Sequence, residues 1–408
     1  MNIPHVYNPL FYFSIIAFLL IFVSSPFFKL ADASWHNSTT RTINLDGLRG
    51  ILAISVFIQH SAWLQHSIMG IPWGVPIPSI YIQAGEASVS LFFMITGFLF
   101  WRKAILAKGR IDWMRLYINR FFRIAPIFYL SISIVLFVVF YKSNFQLRET
   151  TSILFNEISP LLLAGFYKIG HLINGYPLPG EINANVTWTL RYEWEFYLLI
   201  LPISAFFARR VGWHLLFTGA GFLLLVMVTI KSPQSHVAIA LLEFFGGMLC
   251  ASIQQYFLFE VREGVSNIVS SIILTGLLIT LMHFSTAYST VPFLILWCVF
   301  LLITLGCSFF GLLSSKPARR LGELSYSIYL LHGIVLYGFF KYQGVLNFAR
   351  STAMNFWLSI AIAGAIAVSI TMVSHLLIEI RGIRIGKRLS QSIRWSNLKL
   401  NRPGFRGG

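Results

Sequence analysis

Leu48-Arg49-Gly50-Ile51-Leu52-Ala53-Ile54-Ser55-Val56-Phe57-Ile58-Gln59-His60 sets two ionisable side chains in an otherwise apolar run. At about 100° per residue, the steps from Arg49 to His60 make roughly three full turns, so both side chains share one helix face. A rise of about 1.5 Å per residue puts them about 16 Å apart along the axis. The run is apolar enough to cross a bilayer, where an ionisable side chain costs about 2.5–3.5 kcal/mol. A helix carrying a cation near one surface and an imidazole deep inside lines a polar path. The plainer reading stands beside it: Arg49 snorkels to lipid phosphates, and His60 bonds a neighbouring helix.

The rest of the chain has the same character. Of its 408 residues 56% are hydrophobic and only 11% charged, which excludes a soluble fold and predicts an all-α integral membrane protein. The apolar runs are about 20 residues long and unbroken, unlike the alternating strands of a membrane barrel. Spanning candidates fall near 10–30, 46–66, 84–106, 120–141, 188–208, 211–230, 236–256, 268–285, 291–313, 324–342 and 355–379. They describe a polytopic bundle of about eleven transmembrane helices with no soluble domain. Cys250, Cys298 and Cys307 sit in apolar segments without metal spacing and read as small core residues; no metal site is expected.

The net charge of +17 does not point to nucleic acid, because Lys and Arg cluster between the apolar runs. A weaker run, 152–167, contains Asn156, Glu157 and Pro160 and decides the topology. If it does not span, 24 of the 31 Lys and Arg fall on one side, including Arg102 to Arg123, Arg209, Arg210, Arg262, 316–320 and the tail. The positive-inside rule then gives eleven spans, the N-terminus outside and the C-terminus in the cytoplasm. Region 143–187 becomes an external loop, and Gly175, Pro177, Pro179 and Gly180 suit an irregular lid. Ala31-Asp32-Ala33 resembles a signal-peptidase site, but the preceding stretch lacks Lys or Arg ahead of a long apolar run. An extra anchoring helix is the expectation.

Three further constellations suggest chemistry. Arg120 and Arg123 are spaced three apart at the lip of a span, where two guanidinium groups can grip a phosphate. Glu193 lies more than a turn inside the next candidate, among Trp188, Arg191, Tyr192 and Trp194, a surround that suits a sugar. It pairs structurally with Arg191 or a neighbour, or it orients a histidine or binds a sugar hydroxyl. Ser325, Tyr329 and His332 form a polar stripe at i, i+4 and i+7. Glu379 closes the last span beside Arg381.

These segments together resemble the membrane-bound acyltransferase-3 family, multi-pass O-acyltransferases that decorate surface polysaccharides. The matching residues are Leu45-Asp46-Gly47-Leu48-Arg49-Gly50 with His60, Ser90-Leu91-Phe92-Phe93-Met94-Ile95-Thr96-Gly97-Phe98-Leu99, and Arg120, Arg123 and Pro126. Trp188-Thr189-Leu190, Glu193, Phe196 and Tyr197 follow, then Ser325-Tyr326-Ser327-Ile328-Tyr329-Leu330 with His332. Thr96 and Thr189 stand where the family usually has Ser, and the Pro that usually follows Glu379 is missing. The likeness runs from 44 to 388. It leaves 1–43 as an extra N-terminal helix and linker before a ten-helix core, and 389–408 as a basic cytoplasmic tail.

The resemblance implies acyl transfer, most simply O-acetylation, in the bacterial inner (plasma) membrane. Acetyl-CoA, as the acyl-CoA donor substrate, would enter from the cytoplasm with its phosphates on Arg49, Arg120 and Arg123. His60 would act as general base on a hydroxyl of a glycan or lipid-linked saccharide arriving from the outer side. Glu193 and His332 complete the catalytic candidates. Arg191, Tyr329 and His332 are candidates for stabilising the oxyanion, Ser325 for carrying an acyl group, and Trp188 for holding the acceptor. No bound cofactor is expected, and membrane lipids are the other partners. A transporter moving a polar solute through the same helices is the alternative, against which the halves show no inverted repeat.

Overall fold

The structure is a computed structural model that describes residues 6–37, 43–70, 77–210, 212–232, 235–257 and 265–400. Arg41, Arg262, Arg402 and Arg406 of the predicted basic segments lie outside the described residues. The elements are almost all helical: α1 Pro9–Val23, α2 Ile43–Ile68, α3 Ser79–Leu106, α4 Trp113–Lys142 and α5 Thr151–Ile158. Then come α6 Trp188–Glu195, α7 Leu201–Ala205, α8 Trp213–Lys231, α9 His236–Phe257, α10 Val265–Leu281 and α11 Thr290–Thr304. The chain ends in α12 Lys316–Phe339, α13 Gln343–Ser351, α14 Ala353–Ser374 and α15 Ile380–Leu400.

Among the described residues, five helical stretches are long and apolar enough to cross a membrane, or six if the bent pair Pro9–Val23 and Pro26–Asp32 is one span. The fold is thus the all-α one expected, although this test does not reach eleven. Several expected spans differ in their details. The run 10–30 breaks after Val23 and turns by 82°, because Pro26 cannot continue the helix and steers Ser25 away from the α region. The run 188–208 is cut by a π-turn at Phe196–Ile200, and α14 passes into another at His375–Glu379. The helix of the 291–313 run stops at Thr304.

α2 and α12 fail the apolarity test yet sit at the centre of the bundle. Ser55, Gln59, His60, Ser61 and Gln65 of α2 are buried, as are Ser325, Ser327 and His332 of α12. Leu216, Leu224, Ile230 and Ile272, on the flanking helices α8 and α10, are exposed instead. An apolar outside around a polar inside is what a bilayer permits, since only the perimeter must match lipid.

Glycines set two close helix crossings. A Cβ on Gly322 would lie 2.0 Å from the Asp46 carbonyl oxygen, and one on Gly50 2.3 Å from that of Ala318. The backbones of the parallel helices α2 and α12 therefore touch, as small residues allow in membranes. Gly97 against Phe244 and Gly247 against Met94 do the same for α3 and α9. Between that second pair, Ser90 donates a short hydrogen bond to the buried carboxylate of Glu243. Pro126 interrupts the α4 ladder, and Gly382 of α15 docks against Pro126 and the Phe122 carbonyl that it leaves without its usual donor.

Hydrogen bonds between connections sort the helix ends into two groups. At one end, Arg320 bonds Asp32, and Asn44 Nδ2 donates to the carbonyls of Gly306 and Cys307. At the other, Ser79 and Gln83 donate to the carbonyls of Met282 and Phe284, and Arg350 to that of Ile68. The segment between α4 and α6 belongs to this second end. Its hairpin, Leu172–Ile173 with Tyr176–Pro177, turns on Asn174 and Gly175, both at positive φ, the Asn-Gly pair that a two-residue turn favours. The Asn174 amide ties the turn to Ser143 Oγ and to the Gln146 carbonyl. Beyond it, Pro179–Asn183 dips between α4 and α12 until Asn183 lies against Gly333.

Candidate active site

Where α2, α3, α4, α6 and α12 converge, they enclose a cavity of about 300 Å³. Arg49, Arg120, Arg123 and Lys103 line it toward the first end of the bundle. Asp112 begins α4 as an N-cap, its carboxylate accepting from the Arg115 N–H, and two further turns carry Arg120 and Arg123 inward. The Arg120 guanidinium lies 4.5 Å from the Phe100 ring centroid, a cation–π contact that orients it without neutralising it. Four cations in one cavity can hold an anion with several oxygens.

Glu193 shares this cavity with the arginines, within electrostatic reach of Arg120, Arg49 and Arg123. Its Oε2 accepts a 3.0 Å bond from the Tyr197 hydroxyl one turn on. It therefore joins the cationic cluster and neither orients a histidine nor pairs with Arg191. Arg191 instead bonds Glu195 at 2.7 Å with 61% of its side chain exposed, outside the cavity. Trp188 is half-buried, edge-on to Tyr192, and also off the lining.

Ser325 and Tyr329 carry the α12 stripe along the wall. Ser325 Oγ donates to the Gly322 carbonyl at 2.8 Å, and the Tyr329 hydroxyl lies 3.1 Å from Thr189 Oγ1. One turn beyond Tyr329 is His332, its ring centroid 6.4 Å from that of the tyrosine. His332 is wholly buried and His60 8% exposed, so both sit just past the lining.

The two imidazoles meet: His60 Nδ1 and His332 Nε2 are 2.9 Å apart. His332 Nδ1 lies 3.0 Å from the Ile328 carbonyl oxygen, which only accepts. In the neutral ring that nitrogen carries the proton, Nε2 is the acceptor, and the His60 Nδ1–H must be the donor. The tautomer of His60 then follows, with its basic lone pair on Nε2. Phe57 and Trp63 pack edgewise and obliquely on the pair.

Five other residues belong to this region. Tyr197 and Phe100 hold Glu193 and Arg120, and the i, i+4 spacing of Glu193 and Tyr197 was a readable signal. Glu379 does not pair with Arg381. Its Oε2 accepts from Ser327 Oγ at 2.8 Å and from His375 Nδ1 at 2.9 Å, and its buried charge is within electrostatic reach of Arg123. Its partner His375 was also readable at i, i+4, whereas Ser327 comes from another helix. Among the described residues, no group of His, Cys, Asp and Glu forms a metal site.

The acyltransferase-3 family model, an acyltransferase domain, matches residues 42–376, which cover the cavity lining and both histidines but not Glu379. The chain belongs to that family and is a membrane acyltransferase. No curated protein and no solved structure matches it.

Proposed function

Taking an acyltransferase as the premise, we propose that the protein moves an acetyl group from acetyl-CoA to a hydroxyl of a cell-surface glycan. Arg49, Arg120, Arg123 and Lys103 hold the donor phosphates, and the pantetheine arm runs along the Ser325–Tyr329 wall toward His60. His60 Nε2 takes the proton of the acceptor hydroxyl as its oxygen attacks the thioester carbon. The tetrahedral intermediate collapses with cleavage of the C–S bond, and the imidazolium returns its proton to the departing thiolate. Tyr329, which lines the cavity with its ring 6.4 Å from that of His332, is the candidate donor to the oxyanion. His332 positions His60. Glu193 balances the cation cluster.

The observation that carries this reading is the hydrogen bond from His60 to His332, backed by the Ile328 carbonyl. It gives a buried imidazole one defined basic nitrogen about 16 Å beyond a cation of the phosphate site. We place that phosphate site on the cytoplasmic side of the inner membrane, with eleven crossings, the N-terminus outside and the C-terminus inside. The grouping of basic connections 29–32 and 316–320 by the Arg320–Asp32 pair supports that orientation.

Purified protein in nanodiscs, given radiolabelled acetyl-CoA with and without candidate glycans, tests the proposal. Thiol release coupled to label on the glycan, lost in His60→Ala, is expected. Equal transfer by His60→Ala would overturn the assignment, and label crossing the membrane without acylation would mark a transporter.

A further inference from the structure

Residues 6–32 precede the matched family domain, yet they hold the two helices that carry the histidines. The Tyr7 hydroxyl donates to Gln65 Oε1 at 2.8 Å. The Tyr12 hydroxyl lies 2.8 Å from Ser55 Oγ, whose own proton goes to the Ile51 carbonyl, so Tyr12 is the donor. Ser55 and Gln65 stand five residues before and five after His60. At about 100° per residue, each projects about 140° from the His60 direction, so α1 and the residues before it grip the back of α2.

The same segment clamps α12. Arg320 Nε and Nη2 donate to the two carboxylate oxygens of Asp32 at 2.9 and 2.7 Å, a bidentate pair. Arg320 Nη1 donates to the Val23 carbonyl at 2.9 Å, satisfying an end of α1 that the Pro26 break leaves without helix partners. Arg320 is 4% exposed, so this ion pair is shielded from water on the arginine side.

We propose that residues 6–32 form a brace that sets the depth and rotation of α2 against α12, with Tyr7, Tyr12 and Asp32 as positioning residues for the His60–His332 contact. Because that contact joins side chains on two helices through a 2.9 Å hydrogen bond and a ring contact at 5.0 Å, a small slide or rotation of either helix breaks its geometry. The inference rests on His60 being the base.

The test uses the full chain in inverted membrane vesicles, with radiolabelled acetyl-CoA and the endogenous acceptor. Tyr7→Phe with Tyr12→Phe keeps the rings and removes only the hydroxyls; Asp32→Asn removes the ion pair. In each variant kcat should fall roughly tenfold while the KM for acetyl-CoA stays within about twofold, since three of the four phosphate-site cations, Lys103, Arg120 and Arg123, lie on α3 and α4 and only Arg49 on α2. Asp32→Glu should recover most of the Asp32→Asn loss. His60→Ala is run alongside. If it alone is inactive and the brace variants keep wild-type kcat, the brace is wrong and the base assignment stands. If His60→Ala is active, the base assignment itself is lost. A fall in rate that merely tracks the loss of folded protein, measured by thermal unfolding, would reduce the segment to a stabilising anchor and overturn the proposal.

Discussion

Replacing His332 separates a positioning histidine from a catalytic one. In the structure His332 Nε2 receives the His60 Nδ1–H at 2.9 Å, and His332 Nδ1 is held by the Ile328 carbonyl. His332→Ala removes the acceptor and with it one hydrogen bond that orients the His60 ring, worth about 0.5–1.5 kcal/mol. If that cost falls on the productive orientation of His60, the rate drops about 2- to 13-fold. Removing the base itself should cost more, roughly 10²–10⁴-fold. His332→Gln sets an amide oxygen near the position of Nε2 and should restore most of the activity. The double variant His60→Ala/His332→Ala should be no slower than His60→Ala, because a positioning group has nothing left to position. The assay is initial-rate transfer of radiolabelled acetyl from acetyl-CoA to acceptor in membrane vesicles, normalised to folded protein. A double variant slower by the product of the single losses would refute the argument, as would a harmless His332→Ala. A His332→Gln variant as inactive as His60→Ala would make His332 itself a proton carrier.

Arg120→Ala and Arg123→Ala should each raise the KM for acetyl-CoA by about tenfold or more in initial-rate kinetics. Arg191→Ala should leave KM and kcat near wild type, because Arg191 spends its charge on an exposed pair with Glu195. Gly322→Ala forces α2 and α12 apart, since its Cβ would sit 2.0 Å from a backbone oxygen, and should destabilise by about 1–3 kcal/mol in thermal unfolding. Gly276→Ala, with open space around it, is the matched control. For topology, cysteines at the exposed positions Glu181 and Ser314 should label from opposite sides, Glu181→Cys in intact cells and Ser314→Cys only after permeabilisation. Labelling of both from outside would break the eleven-span assignment.

The amino-acid sequence by itself determined the class of fold and the family, because both are written in local pattern. Apolar runs of bilayer length, cations between them and the spacing of Arg49 to His60, Arg120 to Arg123 and Ser325 to His332 are properties of single segments. The arginines of two of those segments, Arg49 and the pair Arg120 and Arg123, needed only one helix each to be placed near a span's edge. Tertiary structure alone decided which segments share a site. Arg191 and Glu193 are two residues apart, yet one faces outward and the other joins a cavity built from five helices. Periodicity reports the angle between neighbours on one helix and says nothing of what stands opposite. The same limit hid the pairing of His60 with His332, 272 residues away, and the partnership of Glu379 with Ser327. The role of 6–32 was hidden for a further reason. Its tyrosines and Asp32 look like ordinary interfacial residues until the folded bundle sets them behind α2 and against Arg320. Long-range contacts are chosen by packing complementarity and by the cost of burying an unpaired polar group, and both are defined only once the helices have met.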